Sequence, residues 1–253
     1  MKTNYVLALS GNDIFSGGGL YADLTTYTVH QLHGFVAVTC LTAMTDKGFE
    51  VIPTDSHVFA QQLASLKDVP FSAIKIGLLP NVEIAEQALE VIKLHQDIPV
   101  VLDPVLVCKE THDTEVSQLR DELLKFFSYV TIITPNLAEA QLLTNRDIKT
   151  VEEMKQAALI LHDLGAKHVV IKGGNRLSKE KAIDVYYDGQ DFIVLESPIL
   201  SSNNVGAGCT FASSIASQLL LGRSPLEAVR LSKDFVFRAI ETSDDYGVVQ
   251  YEK

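Results

Sequence analysis

Apolar and polar positions along this 253-residue chain fall into two alternating patterns. Short continuous apolar runs, closed by Gly, Pro or a charged residue, predict buried strands, and apolar residues recurring every three or four positions predict helices. Tyr5-Val6-Leu7-Ala8-Leu9-Ser10, closed by Gly11, reads as the first strand. A loop over Gly11-Asn12-Asp13 and Gly17-Gly18-Gly19 then leads into a helix through Ala22, Leu24, Tyr27 and Val29. Residues 35–41 read as a second strand and residues 50–53 as a short edge strand. Helical spacing resumes at Ser56, taken as an N-cap, and runs to Leu66. Ala73-Ile74-Lys75-Ile76-Gly77 predicts a buried strand, followed by a helix marked by Ile84, Ala88, Val91 and Ile92. Val100-Val101-Leu102 reads as a strand with Asp103 and Pro104 at its C-terminal end.

Residues 108–114 are polar and break this rhythm, which predicts a mobile lid near 106–116. A helix over about 116–126 and a strand over 130–134 follow, then a turn at Pro135-Asn136 into a helix through Leu137, Ala140, Leu142 and Leu143. Next come a helix over 151–164, a strand over 168–172 ended by Gly173-Gly174, and a hairpin of 182–187 with 192–195. A glycine loop opens a further helix, and the last helix starts at Pro225, a favoured first helical residue, and runs to about Glu241. Alternating strands and helices imply an α/β fold with a mostly parallel central sheet flanked by helices on both faces. No linker, charge run or internal repeat divides residues 1–253, so a single domain is expected.

A hydrophobic fraction of 47% is enough for a full core. The formal net charge of −11 argues against nucleic acid or an anionic membrane as a primary partner, so a polyanionic substrate must be met by a local site, with a metal ion. Cys40, Cys108 and Cys209 are odd in number and lack Cys-x-x-Cys spacing, which points to reactivity in a reducing cytosol rather than bridging. Neither a signal-peptide pattern nor an apolar run of membrane-spanning length is present, and a cytoplasmic location is expected.

The most informative stretch is Asn203-Asn204-Val205-Gly206-Ala207-Gly208-Cys209-Thr210-Phe211, a loop turning on two glycines into a helix. The N–H groups and the positive dipole end of such a helix attract an anion. A cysteine at that position has its thiolate favoured. The plain alternatives are a tight turn and a small buried hydrophobe. Phe211 stands where a dinucleotide fingerprint needs its third glycine, and no P-loop pattern occurs anywhere. Ligands of open α/β sheets bind beyond the C-terminal strand ends, where Asp13, Asp103, Asn136 with Glu139, and Lys172 all fall. Each alone reads as a turn, cap or strand-end residue. Together, carboxylates, a lysine and an anion cradle suggest metal-assisted phosphoryl transfer.

The set Gly11-x-Asp13, Gly17-x-Gly19, Ala22-Asp23, Asp103-Pro104-Val105, Thr134-Pro135-Asn136-Leu137-x-Glu139, Ile171-Lys172-Gly173-Gly174 and Gly206-Ala207-Gly208-Cys209-Thr210 resembles the ribokinase superfamily. Within it the chain is similar to the branch of hydroxymethylpyrimidine kinases and bacterial pyridoxal kinases. The match runs nearly the whole chain in order and implies a central sheet of about eight strands. By that resemblance Gly206, Ala207 and Gly208 form the anion hole for the transferring γ-phosphoryl group, and Cys209 takes the place of the catalytic base. Asn136 and Glu139 organise magnesium and phosphate, Asp103 is a second magnesium-side carboxylate, and Lys172 neutralises the phosphates of ATP. Asp13 and the loop to Gly19 line the pocket of a heteroaromatic substrate, with Val105. The cofactors implied are ATP and Mg2+, with room for a monovalent cation, and a homodimer is the expected assembly.

The acceptor is narrowed by two positions. Met44 stands where hydroxymethylpyrimidine kinases carry a polar residue, and a thioether accepts hydrogen bonds only weakly. Cys108 puts a second cysteine at the lid, as in the dual-cysteine pyridoxal kinases of Gram-positive bacteria. Both favour pyridoxal or pyridoxine, with hydroxymethylpyrimidine or dual activity as the alternative. A non-catalytic small-molecule binding module is the alternative from another class. The chain departs from the pattern at Ile14-Phe15-Ser16, at Val205 and in its short C-terminal tail.

Overall fold

The computed structural model describes residues 4–106 and 113–251. Along the chain lie β1 (Tyr5–Ser10), α1 (Gly19–Val29), β2 (His33–Val38), β3 (Cys40–Thr45), β4 (Gly48–Pro53), α2 (Ser56–Leu66) and β5 (Phe71–Ile76). They are followed by α3 (Val82–Lys93), β6 (Val100–Leu102), α4 (Asp113–Leu124), a 3-10 turn at Phe127–Tyr129, β7 (Ile132–Ile133), α5 (Leu137–Thr144) and α6 (Val151–Asp163). The last elements are β8 (His168–Lys172), β9 (Lys181–Tyr187), β10 (Phe192–Pro198), α7 (Ala207–Leu220) and α8 (Pro225–Glu241).

Eight strands form the main sheet in the order β10-β9-β8-β7-β6-β5-β1-β2. All neighbours pair in parallel except β9, which runs antiparallel to β8 and to β10. Side chains alternate across the sheet, and its two faces bury different sets. Leu7, Leu9, Ile74 and Ile76 belong to the large core with Phe59 of α2, Ile84 of α3, Ala140 of α5 and Leu161 of α6. Val6 and Ala8 point the other way onto Tyr27 of α1, and Val101, Ile132 and Val170 onto Phe211 and Ile215 of α7. Burial on both faces explains why these strands read as unbroken apolar runs.

Several boundaries differ from the sequence reading, among them the second hairpin strand, which runs Phe192–Pro198 instead of 192–195. Residues 35–41 are not one strand: the ladder leaves the main sheet at Thr39, and β3 pairs antiparallel with β4 in a separate two-stranded sheet. Residues 50–53 are therefore half of a hairpin, not an edge of the main sheet. Asp55 rather than Ser56 caps α2, its carboxylate accepting from the Val58 N–H at 3.0 Å. The strand expected over 130–134 shortens to Ile132–Ile133. Of the expected lid, Cys108 and the rest of residues 107–112 lie outside the described residues, while Asp113 and Thr114 open α4. Among the described residues no helix is long and apolar enough to cross a membrane.

Candidate active site

Parallel strands end at one rim, and the rim carries the polar residues. The β1 end opens into the Asp13 loop, which its own carboxylate shapes: Oδ1 accepts from the Phe15 N–H at 3.1 Å and Oδ2 from the Gly18 N–H at 2.8 Å. Gly19 (φ +59) closes the loop, where a Cβ would lie 2.3 Å from the Gly11 carbonyl oxygen. Across from it, Thr42 of β3 accepts the Ile14 N–H at 2.9 Å. Met44, two residues further on, shares that face of the hairpin and stands opposite Phe49. Half-exposed Met44 and Phe49 thus sit beside the Asp13 loop.

Beyond β6, β7 and β8 lies a charged cluster. Asp103 is buried, and its Oδ1 accepts from Lys172 Nζ at 2.7 Å and from the Thr134 hydroxyl at 3.1 Å. The next turn folds back on it, with the Val105 N–H donating to the Asp103 carbonyl. Asn136 and Glu139 form a reciprocal capping box at the start of α5: the Asn136 side chain accepts the Glu139 N–H at 3.0 Å, and Glu139 Oε2 accepts the Asn136 N–H at 2.8 Å. Burial pushes the Glu139 carboxyl up to about 7; Lys172 pulls it down, Asp103 pushes it up, and the backbone N–H groups of Asn136 and Leu106 hold it down. Desolvation disfavours the Lys172 ammonium, but Asp103 and Glu139 outweigh it, so Lys172 stays charged above its ordinary value.

The third part is the entrance to α7. Gly206 is its N-cap in the left-handed region (φ +83), and no side chain caps the helix. A Cβ there would lie 1.6 Å from the Gly17 carbonyl oxygen, so the two glycine loops touch backbone to backbone. The Ala207 N–H donates to the Asn204 carbonyl at 3.1 Å, and the first intrahelical bond runs from Thr210 to Gly206. A Cβ on Gly208 would lie 3.4 Å from Lys172 Nζ and 3.7 Å from Asp103 Oδ2, which places the helix start directly against the charged pair. Among the expected anion-hole residues, Gly206, Ala207 and Gly208, the close backbone approach requires glycine at the first, whereas a Cβ at the third would be in ordinary van der Waals contact.

Cys209 follows in the first turn of α7, with its sulfur beside Gly18 and accepting the Gly19 N–H. The sequence reading of a depressed thiol pKa is corrected here. Burial pushes the thiol up, Lys75 pulls it down, and Asp23 and Asp103 push it up again, for a net rise. The helix dipole does not overcome desolvation next to two carboxylates. Beneath the cysteine lies a network of which the sequence motifs held only Asp23. Lys75 of β5 is fully buried, paired with Asp23 of α1 at 2.9 Å, and Asp23 accepts the Ser213 hydroxyl of α7 at 2.5 Å. A lysine inside the apolar run of 73–77 was the available signal.

A cleft of about 340 Å³ opens beside Lys172 and Gly208. Asn136, Gly173 and Gly174 line its polar end, and Pro198, Ile199, Leu200, Val236, Phe237 and Ile240 its apolar wall. Such a cleft suits a flat apolar group joined to an anion. Among the described residues no cluster of three or more His, Cys, Asp or Glu could hold a metal alone. Two carboxylates completed by ligand phosphates are the usual setting for magnesium. Asp103 Oδ2, on the Gly208 side, fits that role, and so does Glu139 in the ionised form that a neighbouring cation favours.

The sequence matches the family model described as Phosphomethylpyrimidine kinase over residues 13–252. It is 39% identical to a pyridoxine kinase of Bacillus subtilis, covering 96% of this chain and 92% of that one. It is 35% identical to a hydroxymethylpyrimidine/phosphomethylpyrimidine kinase of Aquifex aeolicus, covering 95% and 96%. Among solved structures, the pyridoxal kinase of Staphylococcus aureus in complex with AMP-PCP and pyridoxal superimposes with a TM-score of 0.91 at 35% identity, covering 99% of this chain and 94% of that one. The eight-stranded, mostly parallel architecture is shared with that kinase.

Proposed function

Since the chain belongs to the phosphomethylpyrimidine kinase family, we propose that it transfers the γ-phosphoryl group of ATP to the hydroxymethyl group of pyridoxal or pyridoxine. The observation that carries this reading is the convergence at one rim of the Lys172–Asp103 pair, the Glu139 carboxyl and the uncapped start of α7. Phosphoryl transfer needs little covalent help from protein; it needs charge neutralisation and alignment, which this set supplies.

In this reading the cleft takes the nucleotide, with the base against the apolar wall and the phosphates toward Lys172 and Asn136. Gly206, Ala207 and Gly208 present the anion hole to the γ-phosphoryl group. Asp103 and Glu139, together with the phosphates, would hold magnesium, which would supply further charge neutralisation. The acceptor lies in the pocket bounded by the Asp13 loop, Gly19, Met44 and Val105, with its hydroxymethyl group toward Cys209. Cys209 is then either the base for that hydroxyl or the thiol that adds reversibly to the pyridoxal aldehyde, with Cys108 as the base in the second case. Water exclusion during transfer is assigned to a lid over residues 106–116. Leu41 faces Ile52 on the outer side of the hairpin, both about half exposed, which supports a homodimer formed through that face.

Hydroxymethylpyrimidine is the second acceptor, favoured by the Aquifex relative; Met44 argues for the pyridine. The test is a panel of pyridoxal, pyridoxine, pyridoxamine and hydroxymethylpyrimidine with ATP and magnesium, read by mass analysis of phosphorylated products. Phosphorylated pyridoxal or pyridoxine as the main product supports the reading. Binding of an acceptor with neither a phosphorylated product nor ATP consumption would point to a binding module.

A further inference from the structure

A polar seam between α1 and α7 runs from the rim into the core. Gly19, Asp23 and Tyr27 recur every four residues along α1, and Cys209, Ser213 and Ser217 do so along α7, so each set shares one helix face. At the rim the Gly19 N–H donates to the Cys209 sulfur. One turn deeper the Ser213 hydroxyl donates to Asp23 Oδ1 at 2.5 Å and lies 3.4 Å from the Tyr27 hydroxyl. The Ser217 hydroxyl donates to the Ser213 carbonyl at 2.8 Å. The thiol is therefore the outermost side chain of a seam whose deeper members, Asp23, Tyr27, Ser213 and Ser217, are all buried.

Lys75 enters this seam from the sheet. On β5 it shares a face with Ala73, which packs toward α1, while Ile74 and Ile76 point into the core on the other side. Its side chain is fully buried, and Nζ lies 2.9 Å from Asp23 Oδ1 and 3.0 Å from Oδ2. The strand end makes room for the ammonium: a Cβ on Gly77 would lie 2.6 Å from Lys75 Nζ. Burial works against that charge, but Asp23, Cys209, Tyr27 and Asp103 outweigh it, and Lys75 stays an ammonium. Of the charges around the thiol, Lys75 acts most strongly and favours ionisation, while Asp23 of α1 and Asp103 after β6 oppose it. Asp13 Oδ2 lies across Gly18 from the sulfur, and Lys172 feels the thiol from the end of β8. A buried ion pair is a poor device for stability alone, since well-packed apolar residues of similar volume often serve as well or better.

We propose that Lys75 and Asp23 are positioning residues for the Cys209 thiol: the Lys75 ammonium is the fixed positive charge against which the thiolate forms, and Asp23 holds that ammonium in the seam one turn below the sulfur. The proposal rests on the kinase reading above, in which the thiolate acts either as the base or as the group that adds to the aldehyde. The two partners act on the sulfur with opposite sign. A pair that only held α1 against α7 would loosen the seam alike from whichever side it was broken.

The experiment follows alkylation of Cys209 by iodoacetamide across neutral to alkaline pH, read at that residue by peptide mass analysis. It compares the parent protein, Lys75→Met, Asp23→Asn and the double variant, with thermal unfolding to show that each is folded and turnover of pyridoxal measured over the same pH range. Lys75→Met should move the alkylation profile to higher pH by about one pH unit, slowing the reaction about tenfold at pH 8, and the turnover profile should move with it. Asp23→Asn keeps an oxygen for the Ser213 hydroxyl but removes the opposing charge, and should move both profiles to lower pH. The double variant leaves no unpaired buried ion to unfold the protein. Because Lys75 acts on the thiol more strongly than Asp23, alkylation there should still be slower than in the parent, by about twofold to fivefold. Shifts of the same sign in the two single variants, or a double variant that alkylates as the parent does, would overturn the proposal. A parent protein that phosphorylates no acceptor while these alkylation shifts hold would overturn the kinase reading and leave the charge relation standing.

Discussion

Replacing Glu139 by Gln should give a protein that is more stable and less active. The Glu139 carboxyl is buried and titrates near 7 in the fold, against an ordinary 4.5, with burial as the largest cause. Between those values the folded protein holds a proton that the unfolded chain has lost. This group therefore makes stability fall as pH rises from about 4.5 to 7, and the penalty is complete above that window. At roughly 1.4 kcal/mol per pH unit the penalty approaches about 3 kcal/mol at pH 8. Gln keeps the capping geometry, because its amide oxygen accepts the Asn136 N–H in place of Oε2. Glu139→Gln should then be about 3 kcal/mol more stable than the parent at pH 8, and less than about 1 kcal/mol more stable at pH 5. For a chain of this length that is a rise in Tm of about 6–10 °C at pH 8. The assay is thermal unfolding by circular dichroism at both pH values without magnesium, with turnover measured at several magnesium concentrations. The reasoning fails if the Tm difference is the same at both pH values, or if turnover and magnesium requirement are those of the parent.

Gly206→Ala should cost more than about 2 kcal/mol and abolish turnover, because the left-handed φ and the clash with the Gly17 carbonyl act together. Gly222→Ala, also at positive φ but with no atom within 4 Å of its Cβ, should cost only about 1 kcal/mol; equal costs in chemical denaturation would refute the close-approach argument. Cys209→Ala should lower turnover about a hundredfold or more with every acceptor if the thiol is the base. Since its surroundings raise the thiol pKa, the thiolate appears only toward alkaline pH, and parent turnover should climb as pH rises past neutrality; a flat profile from pH 7 to 9 contradicts the assignment. Cys108→Ala should damage pyridoxal turnover more than hydroxymethylpyrimidine turnover, and no effect on pyridoxal would remove the two-thiol mechanism.

The fold was legible where burial is two-sided. Val6 to Leu9 and Val169 to Ile171 are buried on both faces, so their apolar runs announce a parallel sheet directly. The break at Thr39 was not legible, because Phe35 to Leu41 stays apolar while the chain changes sheets; only the ladder partners distinguish the halves. Site residues tied to glycine turns and strand ends, such as Asp13, Asp103, Glu139 and Gly206, could be read because backbone geometry restricts the residues that fit. Asp184 and Lys233, an ion pair lining the cleft, and Lys75 could not, and Asp23, though part of the motif set, could not be matched to its buried partner. Their partners lie 49 and 52 positions apart, and each alone looks like a charge inside an ordinary strand or helix. The Cys209 thiol was misjudged for a related reason: its helix position is local, but the carboxylates that oppose ionisation come from α1 and from the end of β6.

The central claim is magnesium-dependent transfer from ATP to a pyridine hydroxymethyl group at the rim between the Lys172–Asp103 pair and the start of α7. The most direct test is to supply ATP labelled at its γ-phosphorus with pyridoxal, with and without a magnesium chelator, and follow the label. The account predicts label on the hydroxymethyl oxygen of the pyridine, in stoichiometric amount with ADP, and none when the metal is chelated away. Label released only as inorganic phosphate, or transfer undiminished by the chelator, would contradict it.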